Sequence, residues 1–198
     1  MTPFRLGLTG SIGMGKSTTA ALFAGEGIPV WDADAAVHRL YAKGGAAVVP
    51  VAQICPAALV NDAIDRAALR QWIATTPKNL ATLESVVHPL VAADRDSFLA
   101  QTSADLVLLD IPLLFENHTE ADLDAVLLVT ATPEVQRQRV LSRPGMTAEQ
   151  FALILARQMP DAEKRARATH IVETLTPPQT LAYVQALIAH LQESRKHA

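Results

Sequence analysis

Residues 10–17 have the residue types and spacing of a phosphate-binding loop. They read Gly-Ser-Ile-Gly-Met-Gly-Lys-Ser and match the P-loop pattern G-x-x-x-x-G-K-S/T. Glycines let backbone N–H groups approach a polyphosphate without a side-chain clash, and the positive end of a following helix points at the same anion. Lys16 can place a point charge near the β- and γ-phosphates, and the Ser17 hydroxyl can reach a Mg²⁺ ion held by them. The predicted polyphosphate contacts are Gly10, Ser11, Ile12, Gly13, Met14, Gly15, Lys16, Ser17 and Thr18.

The segments on either side of this loop support the same interpretation. Residues 4–9 form a plausible buried strand, and residues 18–23 are typical of a helix. This strand–loop–helix context favours a phosphate loop over the alternative, a glycine-rich turn before an ordinary helix.

Two acidic segments are predicted to share the site. Asp32 and Asp34 follow a second predicted strand, and Asp110 ends a run of four apolar residues. Asp32 is the candidate base for an attacking hydroxyl, and Asp34 can serve magnesium through water; alternatively, one of them caps the next helix. Asp110 can hold magnesium directly or through water, or it accepts hydrogen bonds from the loop backbone.

Basic residues gather further along the chain. Arg137, Arg139 and Arg143 precede Pro144-Gly145, and arginine forks can neutralise the charge of a transferring phosphoryl group. Arg139 and Arg143 are four residues apart, so they are predicted to share a helix face; the alternative is a solvated basic face. A lone histidine such as His88 is more often structural than catalytic.

The order of elements predicts an α/β fold with a parallel sheet flanked by helices. Strand patterns occur at residues 4–9, 28–32, 106–110 and 125–130, with a weak last strand at Ile171-Val172. Helical patterns cover 34–42, 67–73, 80–100 with a break at Pro89, and segments that begin at Thr132, Thr147 and Thr176. Ligands collect at the carboxyl ends of such strands, where the loop, Asp32 and Asp110 are all predicted to lie.

Taken together, these segments resemble the dephospho-coenzyme A kinase family nearly from end to end. The resemblance rests on residues 8–18, Asp32-Ala33-Asp34, Asp65-Arg66 with Leu69, His88-Pro89-Leu90, Pro112-Leu113-Leu114-Phe115-Glu116, residues 139–143, Gln158 and Lys164-Arg165. The chain departs from the family pattern at His38, where Arg is common, at Cys55-Pro56, and at Glu173-Thr174 after the last strand.

The resemblance implies transfer of the γ-phosphate of ATP, with Mg²⁺, to the ribose 3′-hydroxyl of dephospho-coenzyme A. It implies a nucleotide-binding core at 1–45, 105–135 and 165–198, a helical acceptor-binding insertion at 46–104 and a lid at 136–164. Lys16, Asp32, Arg139 and Arg143 are then the expected catalytic residues, and Ser17 and Asp110 the expected magnesium ligands. The expected acceptor contacts are Asp32, Asp34, His38, Arg39, His88, Pro112 and Leu113.

Composition narrows the remaining classes of function. The chain is 49% hydrophobic, has a net charge of −3 and contains one cysteine, so we expect no nucleic-acid surface, internal disulfide or multi-cysteine zinc site. The absence of a signal peptide and of an 18-residue apolar run predicts a cytoplasmic protein that does not span a membrane. Rival interpretations are another small-molecule kinase, such as one acting on shikimate, and a GTPase switch, which would need an Asn-Lys-x-Asp motif that is missing.

Overall fold

A parallel β-sheet forms the centre of the first of two compact units in the computed structural model, which describes residues 2–196. The five strands are β1 (Phe4–Thr9), β2 (Val30–Asp32), β5 (Leu106–Asp110), β6 (Ala125–Thr130) and β7 (His170–Glu173), and they stand in the order β2-β5-β1-β6-β7. Strand β1 runs parallel to β5 and β6, and β6 runs parallel to β7. The predicted α/β class with a parallel sheet is therefore confirmed.

The remaining elements follow in chain order between these strands. They are α1 (Lys16–Gly25), α2 (Ala33–Tyr41), α3 (Val48–Ile54), β3 (Leu59–Val60), β4 (Ala63–Ile64), α4 (Arg66–Thr75), α5 (Pro77–Gln101), α6 (Pro133–Leu141), α7 (Ala148–Leu155), α8 (Asp161–Arg167) and α9 (Pro177–Lys196). Short 3₁₀ turns lie at Pro56–Ala58 and Glu120–Asp122.

Burial explains why the central strands read as continuous apolar runs. Every residue of β5 and of β6 is buried. Side chains of α1 and α9 pack with Leu6 and Leu8 on one face of the sheet, and Leu114 and Leu123 from the segment after β5 lie beside Gly7 on the other. The core of this unit, within residues 2–31 and 102–196, includes Leu6, Leu8, Phe23, Leu108, Leu127 and Leu187.

Two of the three predicted helix start signals form as the sequence predicts; at the third, the Thr176 hydroxyl donates to the Gln179 side chain at 2.7 Å. Thr132 caps α6 through its side chain, with Pro133 at the first helical position. Thr147 and Gln150 form the reciprocal capping box at the start of α7. These signals lie within a single turn of chain, which is why they can be read without knowledge of the tertiary fold.

The second compact unit spans Asp32–Gln101 and is mostly helical. It has its own core, which includes Leu40, Tyr41, Val51, Leu69 and Val87, and the chain's one cysteine, Cys55, is buried in it with 2% exposure. Helix α2 belongs to this unit, because Leu40 and Tyr41 pack in its core and Arg39 forms an ion pair with Asp94 on α5 at 2.6 Å. The sequence instead predicts that residues 1–45, which include α2, belong to the nucleotide-binding core.

Two features of this unit differ from the sequence-based expectation. Helix α5 continues through Pro89, where the sequence predicts a break. Proline removes one backbone donor but leaves the rest of a 25-residue helix intact, and Leu83 and Val87 hold its buried face. The antiparallel pair β3–β4 was also not predicted; it is joined through Asn61 and Asp62, both with positive φ, a turn chemistry that favours hairpins.

None of the helices in the described part of the chain is both long enough and apolar enough to span a membrane.

Candidate functional site

The segment between β1 and α1 forms a compact loop. The N–H of Met14 donates to the carbonyl of Ser11 at 3.1 Å, and α1 begins at Lys16 with Gly15 as its N-cap. Gly13 and Gly15 have φ values of 79° and 93°, a region that side-chain-bearing residues rarely adopt. A Cβ atom on Gly15 would lie 2.8 Å from the hydroxyl oxygen of Thr174, so both backbone angle and space require glycine here.

Lys16 and Asp110 form an ion pair at the base of this loop. Lys16 Nζ lies 2.6 Å from Asp110 Oδ1, with side-chain exposures of 18% and 3%. The register of the sheet sets this contact, because β1 and β5 pair Leu8 with Asp110 and the N–H of Ile111 donates to the carbonyl of Leu8. The structure therefore joins Asp110 to the side chain of the loop lysine, whereas the sequence left open a metal site or a bond to the loop backbone.

Two glutamine side chains hold the backbone of Ile12. Gln136 Nε2 donates to the Ile12 carbonyl at 2.8 Å, and the Ile12 N–H donates to Gln158 Oε1 at 3.1 Å. Gln136 lies on α6 and is 6% exposed, and Gln158 follows the end of α7. The sequence pointed to Gln158 only through the family resemblance, and no local signal pointed to Gln136.

Thr174 connects Arg139 to the phosphate loop. The Arg139 guanidinium donates to the hydroxyl of Thr174 at 2.9 Å and to its carbonyl, and the same hydroxyl donates to the Met14 carbonyl at 2.7 Å. Thr174 stands directly after β7 and is 5% exposed. The predicted catalytic arginine is thus held beside the loop through a residue that sequence reasoning noted only as a departure from the family pattern.

Arg143 does not share a helix face with Arg139. Helix α6 ends at Leu141, so Arg143 lies in the turn that follows, where the N–H of Met146 donates to the Arg143 carbonyl. The prediction of a shared face was wrong because the helix stops two residues earlier than the spacing argument needs. Arg143 is exposed, as is Arg137 on α6.

The loop after β5 contains an ion pair with a fully buried lysine. Lys164 on α8 has 0% exposure, and its Nζ lies 2.8 Å from Glu116 Oε1, at an angle outside that of a regular hydrogen bond. The same carboxylate oxygen accepts the N–H of Met159 at 2.8 Å. Burial raises the pKa of Glu116, but the Lys164 ammonium and the Met159 N–H outweigh burial and hold that pKa below its ordinary value.

The same loop carries two of the expected acceptor contacts. Pro112 is half-buried, and Leu113 is 38% exposed with a φ of 55°. A leucine in this left-handed region is uncommon, and such conformations concentrate at functional sites. The structure therefore presents an apolar side chain to solvent at the carboxyl end of β5.

The other expected acceptor residues belong to the second unit. Asp32 ends β2 and caps α2, since its Oδ1 accepts the Ala35 N–H at 3.0 Å. Asp34, His38 and His88 are exposed, and Arg39 is engaged by Asp94. The helix-cap alternative for Asp32 is thus realised, and a cap through one oxygen is compatible with a chemical role for the other.

A divalent cation has few protein ligands here. Among residues 2–196, no group of three or more His, Cys, Asp or Glu side chains is arranged as a metal site. Ser17, exposed in the first turn of α1, and the carboxylate of Asp110 are nevertheless hard oxygen donors of the kind that Mg²⁺ prefers. This sparse donor set fits a magnesium ion held mainly by the phosphates of a nucleotide.

The phosphate loop between β1 and α1, with an acid at the end of β5, defines a nucleotide-binding P-loop protein. The model of the dephospho-CoA kinase family matches residues 4–176. A dephospho-CoA kinase from Cereibacter sphaeroides is 70% identical over 194 residues, which cover 98% of each chain. The chain belongs to the dephospho-CoA kinase family.

Solved structures share this fold. The crystal structure of a Thermus thermophilus protein superposes with a TM-score of 0.85 at 38% identity, over 96% of this chain and 99% of that one. A dephospho-CoA kinase from Campylobacter jejuni gives a TM-score of 0.72 at 21% identity, over 96% and 98% of the two chains, which shows the common fold.

Proposed function

We propose that this chain transfers the γ-phosphate of ATP to the ribose 3′-hydroxyl of dephospho-coenzyme A and so produces coenzyme A. The observation that carries the proposal is the phosphate loop with Lys16 paired to the buried Asp110, in a chain of this family. The reaction forms a bond between the 3′-oxygen and the γ-phosphorus and breaks the bond to the β-phosphate oxygen, which leaves with ADP. Family membership supports this reaction over the shikimate and GTPase alternatives. We also propose that it takes place in the cytoplasm.

Residues 10–18 are proposed to bind the polyphosphate. Backbone N–H groups of the loop, apart from those of Ile12 and Met14, which donate to Gln158 and Ser11, would face the phosphates together with the N-terminus of α1. The Lys16 ammonium would leave Asp110 and pair with the β- and γ-phosphates. Ser17 and Asp110 would supply oxygen ligands to Mg²⁺, directly or through water, and the bound ion would neutralise charge on the phosphates.

Asp32 is proposed as the base that takes the proton of the 3′-hydroxyl. The Ala35 N–H fixes the carboxylate through Oδ1, so Oδ2 is the oxygen assigned to this task. Asp34, His38, Arg39, His88, Pro112 and Leu113 are proposed acceptor contacts. Arg139 and Arg143 are proposed to meet the transferring phosphoryl group, with residues 136–164 acting as a lid that excludes water.

The test is phosphate transfer from ATP to dephospho-coenzyme A, with the position of the new phosphate on the ribose located in the product. Asp32→Asn probes the base in the same assay. Asparagine caps helices about as well as aspartate, so α2 should persist, but the amide cannot accept the hydroxyl proton. Turnover should fall by about 10²–10⁴-fold, the usual range for a positioned general base.

Asp65→Asn is the matched control. Asp65 caps α4 in the same unit through the same kind of bond, to the Ala68 N–H at 2.7 Å. Its turnover should stay within about twofold of the parent chain. Equal turnover in the two variants would show that Asp32 is only a cap, and phosphate on another acceptor, or none on the 3′-oxygen, would refute the proposed reaction.

A further inference from the structure

We infer that Gln136 and Gln158 are positioning residues that hold the phosphate loop in its binding-competent shape before nucleotide arrives. The N–H of Ile12 donates to Gln158, and its carbonyl accepts from Gln136. We call this pair of contacts the Ile12 clamp. The inference rests on the proposed binding of the polyphosphate at residues 10–18.

The direction of each hydrogen bond follows from the backbone. A backbone N–H can only donate and a carbonyl can only accept, so Gln158 must present its oxygen to Ile12 and Gln136 its nitrogen. The two glutamines therefore have opposite requirements: an acceptor at position 158 and a donor at position 136.

The loop needs support from outside. Gly13 and Gly15, both with positive φ, follow Ile12, and glycine loses more conformational freedom on ordering than any other residue. The clamp restricts the backbone of the loop through Gln136 and Gln158, which lie 124 and 146 residues from Ile12 in the sequence. If the loop is ordered before binding, a nucleotide does not have to order it, and its affinity rises accordingly.

The clamp also joins the loop to two segments of the proposed lid region. Gln136 stands one turn before Arg139 on α6. Gln158 is followed by Met159, whose N–H donates to Glu116. The support for the phosphate loop thus comes from the base of α6 and from the segment that follows α7.

Substitutions by Glu and by Leu separate hydrogen-bond direction from charge. Glu keeps an acceptor but has no donor and adds negative charge near the polyphosphate, whereas Leu removes donor and acceptor without adding charge. Charge alone predicts that Leu variants bind nucleotide better than Glu variants at both positions. The clamp also predicts that Leu binds better than Glu at position 136, where a donor is needed. At position 158, where an acceptor is needed, it predicts that Glu binds better than Leu.

The probe is MgADP, titrated by calorimetry well below the melting temperature of each variant. Gln136→Leu and Gln158→Leu should bind about tenfold more weakly than the parent chain, in line with one unmet buried hydrogen bond. Gln136→Glu should bind more weakly still, because it also adds negative charge, and Gln158→Glu should stay within about threefold of the parent chain. The KM for ATP should rise in step with the dissociation constant of ADP, while kcat at saturation changes by less than about threefold, because bound nucleotide restores the loop.

Gln138→Glu is the control for charge on α6, since Gln138 is exposed on the same helix, and it should bind MgADP like the parent chain. If Gln136→Glu does not fold, Gln136→Leu takes its place, because it buries no charge. An unchanged ADP affinity in folded Gln136→Leu and Gln158→Leu overturns the inference, and so does better binding by Leu than by Glu at position 158.

Lys16→Ala separates failure of the clamp from failure of the proposed nucleotide site. Weak ADP binding by Lys16→Ala together with normal binding by the glutamine variants would overturn the clamp alone. Normal binding by Lys16→Ala and by all the glutamine variants would overturn both the clamp and the proposed site.

Discussion

Arg139, one of the arginines proposed to meet the transferring phosphoryl group, is held in place by Thr174. Its guanidinium is bound by the hydroxyl and carbonyl of Thr174, and the same hydroxyl reaches Met14 in the phosphate loop. Both acceptors are neutral groups, so these contacts do not pair the guanidinium with a carboxylate. The guanidinium charge can therefore act on an anion that binds at the loop.

Arg139→Ala and Arg143→Ala should each lower kcat and kcat/KM together. An interaction made only with the transferring phosphoryl group contributes to the transition state and not to ground-state binding, so ADP affinity should change little. The expected loss is about 10²-fold for each variant, the usual cost of one electrostatic contact of this kind. Steady-state kinetics with both substrates varied, together with ADP titration, measure the two effects separately.

Arg137→Ala is the control for this experiment, because Arg137 is exposed on the same helix and has no proposed contact with the phosphates. It should keep the parental kinetics. If Arg139→Ala and Arg143→Ala also keep the parental kcat, the arginines form only a solvated basic surface.

Residues whose partners are close in sequence were predictable, and residues with distant partners were not. The caps Asp32 and Thr132 act within three residues, so the local pattern reveals them. Thr174 contacts Met14 across a separation of 160 residues, which only the packed sheet brings together. The Lys16–Asp110 pair lies between these cases, since the motif and the strand end could be read but their contact depends on sheet register.

At the scale of elements, α8 contacts the loop after β5 through the ion pair between the buried Lys164 and Glu116. A buried ammonium without a counter-charge is unstable, so this contact fixes where α8 can lie. Neither the helix nor the pairing was predicted from the sequence, although Glu116 and Lys164 both stand in segments that resemble the family. Strands such as β5 and β6 were predicted because complete burial makes them continuous apolar runs.

Glu116→Gln should lower the free energy of unfolding by about 3 kcal/mol at pH 7, the low end for breaking a buried ion pair, because Glu116 keeps 16% side-chain exposure. Glutamine retains an oxygen for the Met159 N–H, so the variant removes charge rather than shape. The contrasting control is Asp62→Asn, whose partner Lys43 also lies at 2.8 Å but with exposures of 75% and 72%. That variant should cost less than about 1 kcal/mol in urea unfolding.

The cost of Glu116→Gln should depend on pH. The folded-state pKa of Glu116 lies below its ordinary value, so its contribution is fully present above about pH 4.5 and is lost as the pH falls through the folded-state pKa. The difference in unfolding free energy between parent and variant should therefore shrink on acidification below that pH. A difference that stays constant down to pH 3 would contradict the assignment of a depressed pKa to Glu116.

At the scale of the whole molecule, the chain divides into two units with separate cores. Residues 2–31 and 102–196 surround the sheet, and Asp32–Gln101 surround a helical core that includes Leu69 and Val87. The proposed donor contacts in the loop belong to the first unit. Most of the proposed acceptor contacts, from Asp32 to His88, belong to the second.

Hydrogen exchange should resolve the two ligands by unit. MgADP should slow exchange at residues 10–18, and dephospho-coenzyme A should slow exchange within Asp32–Gln101. At a ligand concentration of 100 times the dissociation constant, amides that exchange only from the ligand-free form should slow by about 100-fold. Protection by dephospho-coenzyme A that is confined to residues 102–196 would show that the helical unit does not bind the acceptor.

Cys55 gives the helical unit a chemical reporter of its own opening. It is the one cysteine in the sequence, and 2% exposure shields its sulfur from reagents in solution. A thiol buried in this way reacts with an alkylating agent only during the moments when the surrounding core comes apart. The alkylation rate of the unmodified chain therefore reports on opening of the helical unit. It carries no signal from the sheet-containing unit, because the one cysteine of the sequence lies in the helical unit.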